Sequence, residues 1–176
     1  GLVSPNVILQ VAEQGGLLRE LDRWVLRTAL HKAASWPARD QVSPSVAVNL
    51  AGLTPDDPGF VSEVNAALAA SGLGGDRLVL EMVETALIDL SKRADQAMAT
   101  LAGQEVRFAI DDFGTGYSSL ARLKDLPAHL LKLDRRFVAN LESDHRDRAV
   151  ARAVVDMGHA MGHQCIAEGI ETSSQF

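Results

Sequence analysis

"FAIDDFGTGYSSL", residues 108 to 120, is a short apolar run that stops at two adjacent carboxylates, Asp111 and Asp112, and passes into a glycine-punctuated turn. A run of this length and character reads as a buried strand, and charges at its end need partners supplied by the fold. Working outward, "VRFAI" (106 to 110) has four counterparts: "VAVNL" (46 to 50), "RLVLEM" (77 to 82), "HLLKLD" (129 to 134) and "QCIAEG" (164 to 169). All five are short, β-rich and nearly all apolar, so they are read as strands. Helical patterns lie between them. In "LLRELDRWVLRTALHKAA", Leu18, Leu21, Val25 and Ala29 recur at helical spacing; over 146 to 161, Val150, Val154, Met157 and Met161 share a face and Gly162 supplies a stop. Apolar strands alternating with helices predict an α/β fold whose parallel sheet is covered on both faces.

The polar residues in these runs share a position. Asn49 is the fourth residue of its run, Glu81 ends the next, Asp111 and Asp112 follow the third, Lys132 interrupts the fourth and Glu168 closes the fifth. In a parallel barrel or open α/β sheet the C-terminal ends of the strands form one rim, and ligand sites are built there. Several carboxylates at one rim repel unless cations neutralise them. One amide oxygen with three or four carboxylates is a hard, all-oxygen set, suited to Mg²⁺ or Mn²⁺ rather than zinc. The tandem aspartates are suited to bridging a second ion, and paired ions roughly 4 Å apart serve phosphate-ester hydrolysis. Lys132 then orients water or neutralises phosphate, and Glu168 accepts the water's proton.

Each residue alone has a plainer reading. Asn49 or Glu81 suits a helix cap, Lys132 a snorkelling surface lysine, and the aspartates a turn that uses Gly114 and Gly116 for positive φ. Five successive strands placing such groups at the same end is what capping does not explain. "DFG" also occurs in protein kinases, but their glycine-rich loop, His-Arg-Asp loop and Ala-Pro-Glu motif are absent.

Composition limits the remaining choices. With 176 residues, 47% of them hydrophobic, the chain has material for one sizeable core, and a net charge of −6 argues against a nucleic-acid-binding surface. The single cysteine, Cys165, excludes an internal disulfide framework and reads as a small buried hydrophobe in a reducing compartment. No apolar stretch has the length of a membrane span, so a cytoplasmic location is expected for these residues. None of the five histidines precedes an aspartate, which disfavours a histidine-aspartate phosphodiesterase. The chain starts "GLVSPN" without a methionine and is expected to be a fragment of something longer.

"DDFGTGYSSL" (111 to 120), with "VNL" (48 to 50), "EMVET" (81 to 85), "KLD" (132 to 134) and "AEGIET" (167 to 172), resembles the EAL domain of bacterial cyclic-di-GMP signalling, collinearly over essentially the whole chain. The resemblance implies a single domain over 1–176: a modified TIM barrel, incomplete at both ends, because the Glu-Ala-Leu strand would precede Gly1 and a further strand would follow Phe176. It also implies a phosphodiesterase that linearises cyclic di-GMP to pGpG with Mg²⁺ or Mn²⁺, two ions being expected, and with Ca²⁺ inhibitory through its looser coordination shell. By position, Asn49, Glu81, Asp111 and Asp112 resemble metal ligands, Lys132 the residue holding the nucleophilic water, and Glu168 the general base. Glu84 matches a glutamate that anchors the loop after Asp112, and Glu171 falls near the site with no specific role. A homodimer and accessory sensory or signalling domains are the implied partners besides the nucleotide. The alternative is a catalytically silent cyclic-di-GMP receptor or interaction module.

Overall fold

The computed structural model describes residues 2–38, 40, 42–87, 90–115 and 120–175, with the backbone alone at 120 and 121. Gly116, expected in the turn after the aspartates, lies outside the described residues. The five expected strands are all present: β1 Val46–Asn49, β2 Leu78–Val83, β3 Arg107–Phe113, β4 Leu130–Leu133 and β5 Gln164–Ala167. They follow one another in a single sheet in the order β1-β2-β3-β4-β5. This is the α/β architecture read from the sequence. Among the described residues no helix is long and apolar enough to cross a membrane.

The chain divides into two compact units. The first comprises residues 1–80 and 90–106, with helices α1 Pro5–Gln14, α2 Leu18–Ala34, α3 Phe60–Ser71 and α4 Lys92–Ala102. Helix α2 packs on α3, and the guanidinium of Arg23 donates to both oxygens of Glu63, at 2.7 and 2.6 Å. The residues read at helical spacing on α2, Leu18, Leu21, Val25 and Ala29, are half-buried; the buried stripe is Asp22, Leu26, Leu30 and Ala33. Two apolar stripes lie about 100° apart on this helix, and Asp22 sits in the buried one.

Asp22 is tolerated there because one of its oxygens, Oδ2, accepts hydrogen bonds from the backbone amides of Ala51, Gly52 and Leu53 at 2.9, 2.6 and 2.7 Å. A buried carboxylate with three charge-assisted partners is satisfied without a cation. Gly52 is required at that contact, since a Cβ there would lie 2.4 Å from the Leu18 Cβ.

The second unit comprises residues 81–89 and 107–176 and adds α5 Leu120–Asp125, α6 Arg135–Ala139 and α7 His145–Ala160. Strand β4 pairs in parallel with β3 on one side and β5 on the other. All four β4 residues are buried, as expected when helices cover both faces. Helix α7 stops as expected, with Gly162 at φ +84°. Of the residues read as sharing a face, Val154 is buried and Val150 is 38% exposed; Ala151 and Gly158 are buried with Val154. Gly158 makes the closest approach. A Cβ there would stand 2.5 Å from the Cys165 Sγ and 3.1 Å from the Leu131 Cδ1, so the helix approaches the sheet through its one missing side chain. Cys165 is half-buried under this contact, and burial pushes its thiol pKa up.

Candidate functional site

In the second unit, the ends of β2, β3, β4 and β5 deliver one cluster. Glu81 is buried, and β2 runs on through Met82 to Val83, so this carboxylate lies inside the strand rather than at its end. Asp111 and Asp112 likewise belong to β3 instead of following it.

A bulge makes that possible. Ile110 pairs with Leu131 and Phe113 with Leu133, so three steps along β3 match two along β4. The extra residue lets both aspartates stand against a single neighbour, Lys132. Asp112 takes up the strain with φ +53°, a left-handed conformation that aspartate tolerates better than most residues.

Lys132 is buried, contrary to its snorkelling reading, and its Nζ stands 2.8 Å from Glu81 Oε2, 3.1 Å from Asp111 Oδ2 and 2.7 Å from Glu168 Oε1. Burial works against its charge, but hydrogen bonds to Glu168, Glu81 and Asp111 outweigh burial and hold its pKa above the ordinary lysine value. Glu168 is the first residue after β5, and its amide donates to the Leu133 carbonyl at 3.3 Å, which fixes its backbone beside β4. Three carboxylates against one ammonium leave two negative charges uncompensated. Asp112 adds to the excess: burial, and then Asp111, Asp134 and Glu168, raise its carboxyl above the ordinary aspartate value.

Asp134 is a site residue that sequence reasoning passed over. It is buried, caps α6 by accepting from the Arg136 amide at 2.7 Å, and is one of the acidic neighbours that raise the Asp112 carboxyl. Its signal was its place two residues after Lys132, where a strand gives way to a helix, but that position reads as a cap and no more.

Glu84, in the turn after β2, is buried, and its Oε2 accepts from the Gly114 amide at 2.9 Å. The loop after the aspartates is therefore held at Gly114. Gly114 has φ +95°, and a Cβ there would come within 3.1 Å of the Phe137 ring, so only glycine fits this point.

Glu171 stands apart from the lysine cluster. Its amide donates to Gln175 Oε1 at 2.7 Å, and it lines a surface cleft with Arg135, Arg136 and Gly169. Asn49 is the last residue of β1, in the first unit, two residues before the loop that Asp22 holds.

Among the described residues no three His, Cys, Asp or Glu side chains are spaced around a common point for one metal ion; the carboxylates gather on the Lys132 ammonium instead. The chemistry of the donors still suits a hard divalent cation. They are all oxygens, carry an excess of negative charge, and include an aspartate whose ionised form its neighbours disfavour.

Comparison with known proteins decides the lineage. The EAL domain family matches residues 1–176. The chain belongs to the EAL domain family. Among its relatives, this EAL chain is 37% identical over 175 residues to the bifunctional diguanylate cyclase/cyclic di-GMP phosphodiesterase MucR of Pseudomonas aeruginosa, covering 99% of this chain and 26% of that protein. It is also 37% identical over 176 residues to the cyclic di-GMP phosphodiesterase NbdA of the same organism, covering 100% of this chain and 22% of that one. The chain thus spans about a quarter of the length of these curated relatives. A solved structure of the PaMucR phosphodiesterase in complex with c-di-GMP superposes with a TM-score of 0.91 at 36% identity, covering 99% of this chain and 71% of that one.

Proposed function

We propose that the protein containing this EAL domain hydrolyses cyclic di-GMP to linear pGpG, using Mg²⁺ or Mn²⁺. The observation that supports the reading best is the Lys132 ammonium enclosed by Glu81 of β2, Asp111 of β3 and Glu168 just after β5. Glu81, Asp111 and Asp112 would hold the cation, joined on the resemblance by Asn49. When bound, it supplies charge to offset the phosphodiester and to activate water. Ca²⁺, with longer and looser coordination, would inhibit.

Lys132 orients the attacking water and Glu168 accepts its proton, a reading supported by the 2.7 Å contact between the two side chains. Water oxygen bonds to phosphorus, the water's proton passes to Glu168, and as one ring P–O bond breaks the departing ribose oxygen takes up a proton from solvent to leave as a hydroxyl. Glu84 keeps the loop at Gly114 in register with the aspartates. Glu171, beside Arg135 and Arg136, lies outside these steps. The proposal extends to a cytoplasmic site of action, a homodimer and accessory signalling domains in the full protein; the last draws support from relatives several times longer than this chain.

The test is Glu168→Gln in the full protein. Cyclic-di-GMP affinity should stay within a few-fold while turnover falls by about 10² or more, because a general base matters to cleavage and little to holding the substrate. Wild-type turnover in the variant would remove Glu168 from this role. Nucleotide binding with no turnover in the unmutated protein would establish the receptor reading instead.

A further inference from the structure

We propose that Phe137, on α6, is a positioning residue that holds Asp112 in place for metal binding by buttressing the backbone at Gly114. The inference rests on the reading of Asp112 as a metal ligand, and every residue it uses lies in the second unit. Its geometric basis is the way the chain leaves β3. Asp112 has φ +53° and Gly114 has φ +95°, so two left-handed residues follow in quick succession. A left-handed aspartate persists only where its surroundings over-determine it.

Two contacts on Gly114 supply that constraint. Its amide donates to Glu84 Oε2 at 2.9 Å. The face of Gly114 where a side chain would stand is covered by the half-buried Phe137 ring: a Cβ there would lie 3.1 Å from Cε2, 3.6 Å from Cζ and 3.8 Å from Cδ2. A single hydrogen bond tolerates a broad range of angles, so it sets the distance of the loop and leaves it a pivot. The ring edge against the glycine Cα closes that pivot.

Phe137 is itself fixed to the strand that carries Lys132. Strand β4 ends at Leu133, the buried Asp134 caps α6 through the Arg136 amide, and the Phe137 amide donates to the Asp134 carbonyl at 3.1 Å. At the start of the same helix, a Cβ on Gly169 would come within 3.1 Å of the Arg135 Cβ, and Gly169 directly follows Glu168. One short helix therefore touches both the loop of the aspartates and the turn after Glu168, each at a glycine of positive φ.

A group that holds a ligand in place without touching the ion typically alters metal affinity by about 10- to 100-fold when changed. Phe137→Leu removes the ring edge and keeps an apolar side chain. Val138→Ala trims a fully buried side chain on the next residue and leaves the ring, so it controls for simple loosening of α6.

The experiment measures Mn²⁺ binding directly, by the loss of the free-ion paramagnetic resonance signal, in the full-length protein without nucleotide. It is carried out on the wild type, Phe137→Leu, Val138→Ala and Asp112→Asn. Phe137→Leu should weaken Mn²⁺ binding by about tenfold and raise the Mn²⁺ requirement for turnover by the same factor, with kcat at saturating Mn²⁺ within a few-fold of wild type. Val138→Ala should bind Mn²⁺ as the wild type does. In the unmutated protein, Mg²⁺ should slow hydrogen exchange at the Gly114 amide, a measurement that needs no variant to fold.

If Asp112→Asn weakens Mn²⁺ binding while folded Phe137→Leu binds as wild type, the positioning role alone is overturned. Equal weakening in Phe137→Leu and Val138→Ala overturns it too, because loosening of the helix then accounts for both, and so does exchange at Gly114 that is indifferent to Mg²⁺. If Asp112→Asn binds Mn²⁺ normally, the ligand assignment fails and the inference falls with it.

Discussion

Replacing Lys132 by methionine separates its electrostatic role from its packing role. Methionine keeps the length and the unbranched stem, so β4 remains filled, but Glu81, Asp111 and Glu168 lose the ammonium that stands within 2.7–3.1 Å of all three. The Glu81 and Asp111 side chains are only 9% and 14% exposed, and stripping a buried pair of its partner costs about 3–5 kcal/mol. Glu168, at 36% exposure, is screened, and its share is about 0–1 kcal/mol. For a domain of this size each kcal/mol moves Tm by roughly 2–4 °C, so Lys132→Met should lower the melting temperature in chelator by on the order of 10 °C. The same carboxylates gather a divalent cation in the proposed function, so excess Mn²⁺ should recover part of that loss while turnover stays low. Calorimetry in chelator and in Mn²⁺, beside a turnover assay, reads all three quantities. Melting in chelator within about 2 °C of wild type would refute the reasoning, because less than 1 kcal/mol would then depend on the ammonium.

Glu84→Ala should lower turnover with the fold retained, because it frees the Gly114 amide from its 2.9 Å bond and loosens the loop beyond the aspartates; circular dichroism beside kinetics checks it, and wild-type kinetics would reduce Glu84 to a filler of the turn. Because the folded chain binds the Asp112 proton more tightly than the unfolded chain, this residue makes stability in chelator fall as pH rises from the ordinary aspartate range through its raised folded value. Asp112→Asn should flatten that slope in urea melts, and an unchanged slope would show that other groups carry it.

The strands were legible because a strand covered on both faces needs a nearly all-apolar run, and "VRFAI" and "HLLKLD" each supply one broken by a single basic residue within the strand. The depth of the site was less legible. Glu81 reads as lying at the end of its run, which closes at Met82, yet the strand continues through Val83, since pairing follows the neighbouring strand rather than the composition of the run. The bulge that places two aspartates against Lys132 is a property of β3 and β4 together, and a single strand carries no mark of it beyond a residue able to take positive φ.

Asp22 was invisible for a different reason. A lone aspartate within a helix that also carries Arg19, Glu20 and Arg23 reads as solvent-facing, and its partners lie 29 to 31 residues away in sequence. Its presence also makes the buried stripe of α2 look polar, so the helical spacing is read on the neighbouring stripe of Leu18, Leu21, Val25 and Ala29. Gly158 on α7 was equally hard to see, since periodicity counts side chains and this contact is made by lacking one.

The odd residue in β3 also bears on how such a site can be lost. In an ordinary strand, deleting a residue inverts every side chain beyond the cut, and the core is ruined. Here the strand already carries one residue more than its partner between Ile110 and Phe113, so removing Asp112 would cancel the excess and leave Asp111 opposite Lys132 and Phe113 opposite Leu133. A loss of one codon would therefore yield a folded protein with the pairing of β3 and β4 intact and half of the carboxylate pair gone. Such a deletant, expressed and melted beside the wild type, should hold its fold and fail to bind Mn²⁺. A silent descendant of this domain lies a single mutational step away, at the one place in the strand where parity has a residue to spare.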